Sequence, residues 1–258
     1  MTAVLGVILC WMLFAGSHIL LSTSPVRPYM VARLGRIGQL LVYCAIAWVL
    51  FGLLVVYYAR HFTEGPPGIG AGASTIARPP LLLAIVLGWA LIGGAAAPRQ
   101  YVSSTFAPLQ VGVRAPYGLE RVTRHAFFSG LVLVFGAHAL MAAHLVGMVF
   151  FLGFAVLAIV GPLHQAAKLR AERGPELAGY YAATSAIPLG AILTGRQRFA
   201  WREMPWPFIA AGLALAWGLR TAHPHLLAFD GVPFALAFNG VTAVFVVQGI
   251  LRERTRSR

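Results

Sequence analysis

The chain has 258 residues, 59% hydrophobic and only 10% charged, with a mean hydropathy of +0.77. An average soluble domain carries about 25% charged residues. One core cannot hide this much apolar surface, so a soluble globular fold is excluded. Sixteen Phe, six Trp and eight Tyr exclude a solvated, disordered chain. What remains is an all-α, polytopic membrane helix bundle, read as a single integral membrane domain over residues 1–258. The net charge of +13 does not point to nucleic acid, because it sits in short loops between apolar runs. Cys10 and Cys44 lie inside apolar segments, which predicts buried thiols and no disulfide framework.

About 20 apolar residues cross the ~30 Å hydrocarbon layer. The first such run is 2–22. It lacks a basic leader and reads as a retained helix, ended by Pro25 and Pro28. Spans follow at 37–59 and, after a Gly/Pro/Ala loop at 65–78, at 79–97. Residues 126–167 carry no formal charge. This stretch is too long for one crossing and predicts two, 126–143 and 146–164, with a tight turn at His144–Gly147. The last two runs are 206–222 and 233–250, which makes seven spans.

Alternating the loops between two sides separates the cations. One side takes Arg27, Arg33 and Arg36, then Arg99, Arg114, Arg121 and Arg124. It also takes Lys168, Arg170, Arg173, Arg196, Arg198 and Arg202, and the tail residues Arg252, Arg254, Arg256 and Arg258. Only Arg60, Arg78 and Arg220 fall on the other side. The positive-inside rule then puts the N-terminus outside and the C-terminus in the cytoplasm. In a bacterium this is the inner membrane.

No Asp, Glu, Lys or Arg lies deep in a predicted span, which argues against an ion-coupled transporter. Histidines are what the spans contain. His18 lies late in the first, His125 opens the fourth, and His138 follows in the same helix. Thirteen residues at ~1.5 Å rise and ~100° each put His125 and His138 about 20 Å apart on nearly opposite faces, so they cannot share one iron. His138 and His144, or His223 and His225, share no helix face, so zinc has little support. Two histidines from different helices can hold a flat cofactor inside a bundle. Trp11, Phe14 and His18 fall on one stripe, and Phe135 and His138 on another, an arrangement that suits a haem pocket and equally suits plain helix packing.

Gly16-Ser17-His18-Ile19-Leu20, then Val31-Ala32-Arg33-Leu34-Gly35, resembles the start of the NnrU family. So does Gly118-Leu119-Glu120-Arg121-Val122-Thr123-Arg124-His125, followed by Gly130 and Ala137-His138. Thr184-Ser185-Ala186-Ile187-Pro188 with Ile192-Leu193-Thr194-Gly195-Arg196 is similar to the family's cytoplasmic segment. Trp201-Arg202-Glu203 and His223-Pro224 are similar to its C-terminal part. The resemblance covers about residues 5–230. One departure is Ala126, where the family usually has proline after Arg-His, and a shifted helix start is expected there. The resemblance implies a role in nitric oxide and denitrification-related redox metabolism. The related 15-cis-zeta-carotene isomerase binds haem b through histidines that align with His18 and His138. These two are therefore the expected iron ligands, with His125, nearer His18 in depth, as the alternative partner. Arg121 and Arg124 are expected at the haem propionates. The thiolate ligand of that isomerase falls at Phe135, so a redox-driven ligand switch is not expected.

Two other readings stand beside this one. Arg-His and the later Arg170-Ala171-Glu172-Arg173…Gly179-Tyr180-Tyr181…Pro188 are similar to membrane methyltransferases of the isoprenylcysteine carboxyl type. The long, basic, amphipathic segment 164–205, with Trp201 and Trp206 as interface anchors, predicts a surface-lying helix. It also suits a non-catalytic assembly factor docking a membrane or redox partner. The bilayer is the expected surrounding in each case.

Overall fold

The computed structural model describes residues 1–23, 25–98 and 114–256. Arg99 and Arg258 of the charge pattern lie outside them. The helices are α1 (Thr2–Ser22), α2 (Val26–His61), α3 (Arg78–Ala95), α4 (Leu119–Val122), α5 (Ala126–Met141), α6 (Leu145–Ala183), α7 (Gly190–Leu193), α8 (Trp206–Ala222) and α9 (Val232–Arg256). No β-strand occurs among the described residues. Four helices, α1, α2, α3 and the Leu145–Ala167 part of α6, are long and apolar enough to cross a membrane. α5 is apolar throughout but shorter. Their outer faces carry large exposed side chains such as Met12, Val49 and Leu83, the arrangement expected where lipid replaces water.

The helix boundaries correct several expectations. Pro25 and Pro28 do not simply end α1: Pro25 caps α2 and Pro28 sits in its first turn, where no intrahelical N–H bond is lost. α2 is then interrupted at Gly35 (φ 70°, ψ 171°), a conformation that disfavours a residue with a Cβ. The apolar run expected at 37 begins just after this break. The turn between α5 and α6 is 142–144, not His144–Gly147, and Gly147 is buried inside α6. The helix expected after residue 164 is not a separate element: α6 runs on to Ala183, through Pro162 and Pro175.

The chain folds as two compact units. The first comprises residues 1–69, 142–150 and 222–258. Here α1 packs along α2, and α9 lies against α2. Val7, Leu54, Val55 and Val146 form its driest part. Trp11 Nε1 donates to Phe150 O at 3.1 Å, and the Tyr58 ring stacks on Phe150 at 3.9 Å. Trp48 Nε1 donates to Thr242 Oγ1 at 2.9 Å, and Asn239 Nδ2 to Trp48 O at 3.2 Å. The Gly/Pro loop is tied to the α5–α6 turn. Gly68 N–H donates to Ala143 O and Leu145 N–H to Pro66 O, each at 2.8 Å, around an isolated antiparallel bridge between Pro67 and His144.

The second unit comprises residues 70–141 and 151–221. α3 runs along α5, and two glycine crossings bring backbones together. A Cβ on Gly130 would stand 2.5 Å from Gly88 O, and one on Gly93 2.6 Å from Gly212 Cα. Ala95, Leu119, Val122, Ala126 and Met204 form a small core at the end of α3. That core supports the polar site described next.

Candidate functional site

In the second unit the stretch 118–125 is laced onto residues 184–204. Gly118, at φ 59°, starts the single turn of α4, and its N–H donates to Glu203 Oε2 at 3.0 Å. Arg121 meets the same carboxylate as a fork, Nε to Oε2 at 2.8 Å and Nη2 to Oε1 at 2.9 Å. Its third nitrogen, Nη1, donates to Gln197 Oε1 at 2.7 Å. Such two-point pairs are the strong form of the ion pair. Glu203 is accordingly held below the usual carboxylate range, first by the Arg121 hydrogen bonds. Glu120 is buried, with 2% of its surface exposed. It accepts from Arg114 Nη2 at 2.6 Å and Nη1 at 3.2 Å, and from Tyr117 N–H at 3.2 Å.

The chain then turns extended at Thr123 and pairs with the Thr-Ser-Ala-Ile-Pro segment. Arg124 N–H donates to Ser185 O and Leu189 N–H to Val122 O, both at 2.7 Å. Thr123 Oγ1 donates to Ala186 O at 3.1 Å. The buried Arg124 side chain caps the end of α6. Its Nε donates to Thr184 Oγ1 at 2.9 Å, and its Nη2 to Tyr181 O and Thr184 O, both at 3.0 Å. Next to it, His125 is 7% exposed. Burial, and then the Arg124 charge, push its imidazole down to about 4, so it is neutral at pH 7.

His138 lies on α5 in the same unit. Its Nδ1 is 2.7 Å from Val134 O, the carbonyl one turn back. That carbonyl can only accept, so the proton sits on Nδ1 and the lone pair on Nε2. This is the tautomer in which imidazole ligates a metal. The ring packs on Phe151 at 5.1 Å. Phe135, on the same stripe, stacks on Phe154 at 4.6 Å. The predicted aromatic stripe therefore exists and faces aromatic side chains of α6.

His18 belongs to the first unit. Its ring packs against Phe14 at 4.5 Å and Tyr43 at 5.0 Å. Its buried Nδ1 has no hydrogen-bond partner at bonding geometry. Phe14 O, one turn back, accepts the Ser17 hydroxyl at 2.9 Å and also interacts with the His18 ring. α1 stops at Ser22 and does not run on toward Val26. His18 and His138 thus each sit among aromatic rings, in different units. No group of three or more His, Cys, Asp or Glu side chains suited to a metal ion occurs among the described residues.

The residues that sequence reasoning missed as partners are Glu203 and Gln197 for Arg121, and Thr184 for Arg124. All three stand in or beside the motifs that carry the resemblance, but nothing in spacing alone joins segments some 60–80 residues apart. No curated protein and no solved structure matches the chain. The family model described as NnrU protein matches residues 6–230, a span that includes both histidines and both halves of the laced site; the chain belongs to the NnrU family.

Proposed function

We propose that this NnrU family member is a seven-span membrane protein, N-terminus outside and C-terminus in the cytoplasm, that binds haem b through His18 and His138. If the source is bacterial, it sits in the inner membrane. It acts in redox metabolism linked to nitric oxide and denitrification. The observation that carries the reading is the His138 Nδ1–Val134 O bond, which orients the ring and leaves its lone pair on Nε2. The buried Nδ1 of His18 and the Phe14 and Tyr43 rings around it support the second ligand. Both residues fit such a group in chemistry and setting.

Haem, when bound, would be held by His18 and His138 and would supply one-electron redox chemistry. The chain's own residues do the rest. Val134 O holds the His138 ring. Phe151, and Phe135 stacked on Phe154, keep water from that face of α5. Arg121 and Arg124 brace the segment leading into α5. Their hydrogen bonds are committed to Glu203, Gln197, Thr184 and Tyr181, so contact with a propionate would compete with those bonds. His125 is the alternative ligand, and its low proton affinity keeps the ring neutral, as ligation requires.

The test is the visible spectrum of the detergent-purified protein from haem-replete cells, oxidised and reduced. The expected result is a Soret band with sharp reduced α and β bands, altered by both His18→Ala and His138→Ala. A band altered by His125→Ala in place of His138→Ala would move the ligand assignment. Absence of any band would overturn the haem reading.

A further inference from the structure

Three guanidinium groups gather at the end of α6 in the second unit. Arg124 and Arg170 both lie over the Tyr181 ring, with Cζ at 4.1 Å and 4.4 Å from its centroid. Arg196 Nη1 donates to Ala182 O at 2.9 Å and to Thr184 O at 3.2 Å. Thr184 O is also the acceptor for Arg124 Nη2, so one carbonyl bridges two cations. No carboxylate forms an ion pair with Arg124, Arg170 or Arg196 among the described residues. This differs from Arg114 and Arg121 a few residues away, each of which has its own glutamate.

Capping the helix explains part of the cluster. A helix C-terminus presents about half a negative charge. Arg124 and Arg196, which bond the last carbonyls, already exceed it. Arg170 touches none of those carbonyls and adds a third positive charge. Like charges held together repel unless an anion joins them. Arg170 and Arg196 are exposed, so an anion has access. The segment that supplies Arg196 also exposes Ile187 at 73%, Leu193 at 82% and Trp201 at 65%. Cations beside exposed aliphatic and indole side chains are the pattern of a membrane interface.

We propose that Arg124, Arg170 and Arg196 around Tyr181 form a phosphate site that takes the headgroup of an anionic phospholipid. Arg170 and Arg196 contact the phosphate. Arg124, fixed from behind by Thr184, sets the position of Tyr181 and adds charge. The neighbouring Ile187, Leu193 and Trp201 lie along the acyl chains. Neither His18 nor His138 takes part, so the site is tested without reference to haem.

The test uses the full-length protein in a zwitterionic detergent. Phosphatidylglycerol, phosphatidylcholine or inorganic phosphate is added, and native mass spectrometry and tryptophan fluorescence report binding. Saturable binding of phosphatidylglycerol over phosphatidylcholine is expected. Each guanidinium removed at an anionic lipid surface is worth about fivefold, so Arg170→Gln with Arg196→Gln should weaken it roughly 25-fold. Arg198→Gln with Arg202→Gln removes the same charge from the same segment and should change affinity only a few-fold. Should the first pair disturb the fold, Arg170→Gln alone carries the test, with a loss of about fivefold. Inorganic phosphate binding with the same arginine dependence, and no preference for the lipid, would support the phosphate site and make its source soluble. Equal losses in the two double variants, or no binding of either phosphate source, would overturn the proposal.

Discussion

Gly93→Ala should destabilise the protein although it adds a single methyl group to a helix. The new Cβ would stand 2.5 Å from Phe208 O and 2.6 Å from Gly212 Cα. Non-bonded carbons ordinarily sit about 3.5–4.0 Å apart, so the deficit is roughly 1 Å. The atoms it meets are backbone and cannot rotate away. α3 and α8 must separate, which costs about 1–3 kcal/mol as overpacking does. Alanine's better helix propensity returns at most about 1 kcal/mol. A net loss of about 1–2 kcal/mol is expected. Gly218→Ala is the control in α8, because a Cβ there meets nothing within 4 Å. It should be neutral or slightly stabilising. Gly212→Ala strikes the same crossing, 2.5 Å from Trp89 O. The double variant should therefore lose less than the sum of the singles, since the second methyl enters a gap the first has opened. The assay is unfolding of the full chain in mild detergent, followed by helical circular dichroism. A Gly93→Ala protein as stable as Gly218→Ala would refute the crossing, and strict additivity would deny that the two glycines share it.

Two further outcomes follow from the laced segment. His125 has its folded value pushed down to about 4, against about 6.5 in an unfolded chain. The unfolded state therefore takes up the proton first as pH falls, and stability drops between about 6.5 and 4, by up to about 3 kcal/mol. Unfolding midpoints at pH 7 and pH 5 should show this drop in the parent and a smaller one in His125→Gln; equal drops would count against it. Glu203, whose side chain is 25% exposed, is held below its ordinary range by Arg121. The pair's stabilisation is present above about pH 4.3 and is lost as pH falls through the lower folded value. Glu203→Gln should cost about 1 kcal/mol at pH 7. A double-mutant cycle with Arg121→Gln should return a coupling of similar size, and a coupling of zero would mean the fork is not stabilising.

The apolar runs told most about helix positions. α1 and α8 span the runs expected for them, and α8 is bounded by Pro205 before it and Pro224 after it. Pro28 misled because proline stops a helix in its interior but is welcome in the first turn. The end of α6 was invisible for a different reason. Charge after residue 167 marks where a chain leaves hydrocarbon, not where its backbone stops bonding to itself. Gly93 and Gly212 are small residues of the kind that permit close helix packing, and the structure pairs them with each other. The polar site was legible only as separate motifs. That Val122–Arg124 bonds Ser185–Leu189, and that Arg121 takes Glu203, depends on tertiary closure, which leaves no periodic trace in the sequence.

The bonds joining Pro66–Gly68 to Ala143–Leu145 impose an order on synthesis. The loop after α2 emerges about 75 residues before its partners. At about 5–20 residues per second, it waits roughly 4–15 s before the α5–α6 turn exists. During that interval α1 and α2 can pair, but the loop after α2 has nowhere to fasten. This fastening of the first unit thus comes late, only after α3 and α5 have been made.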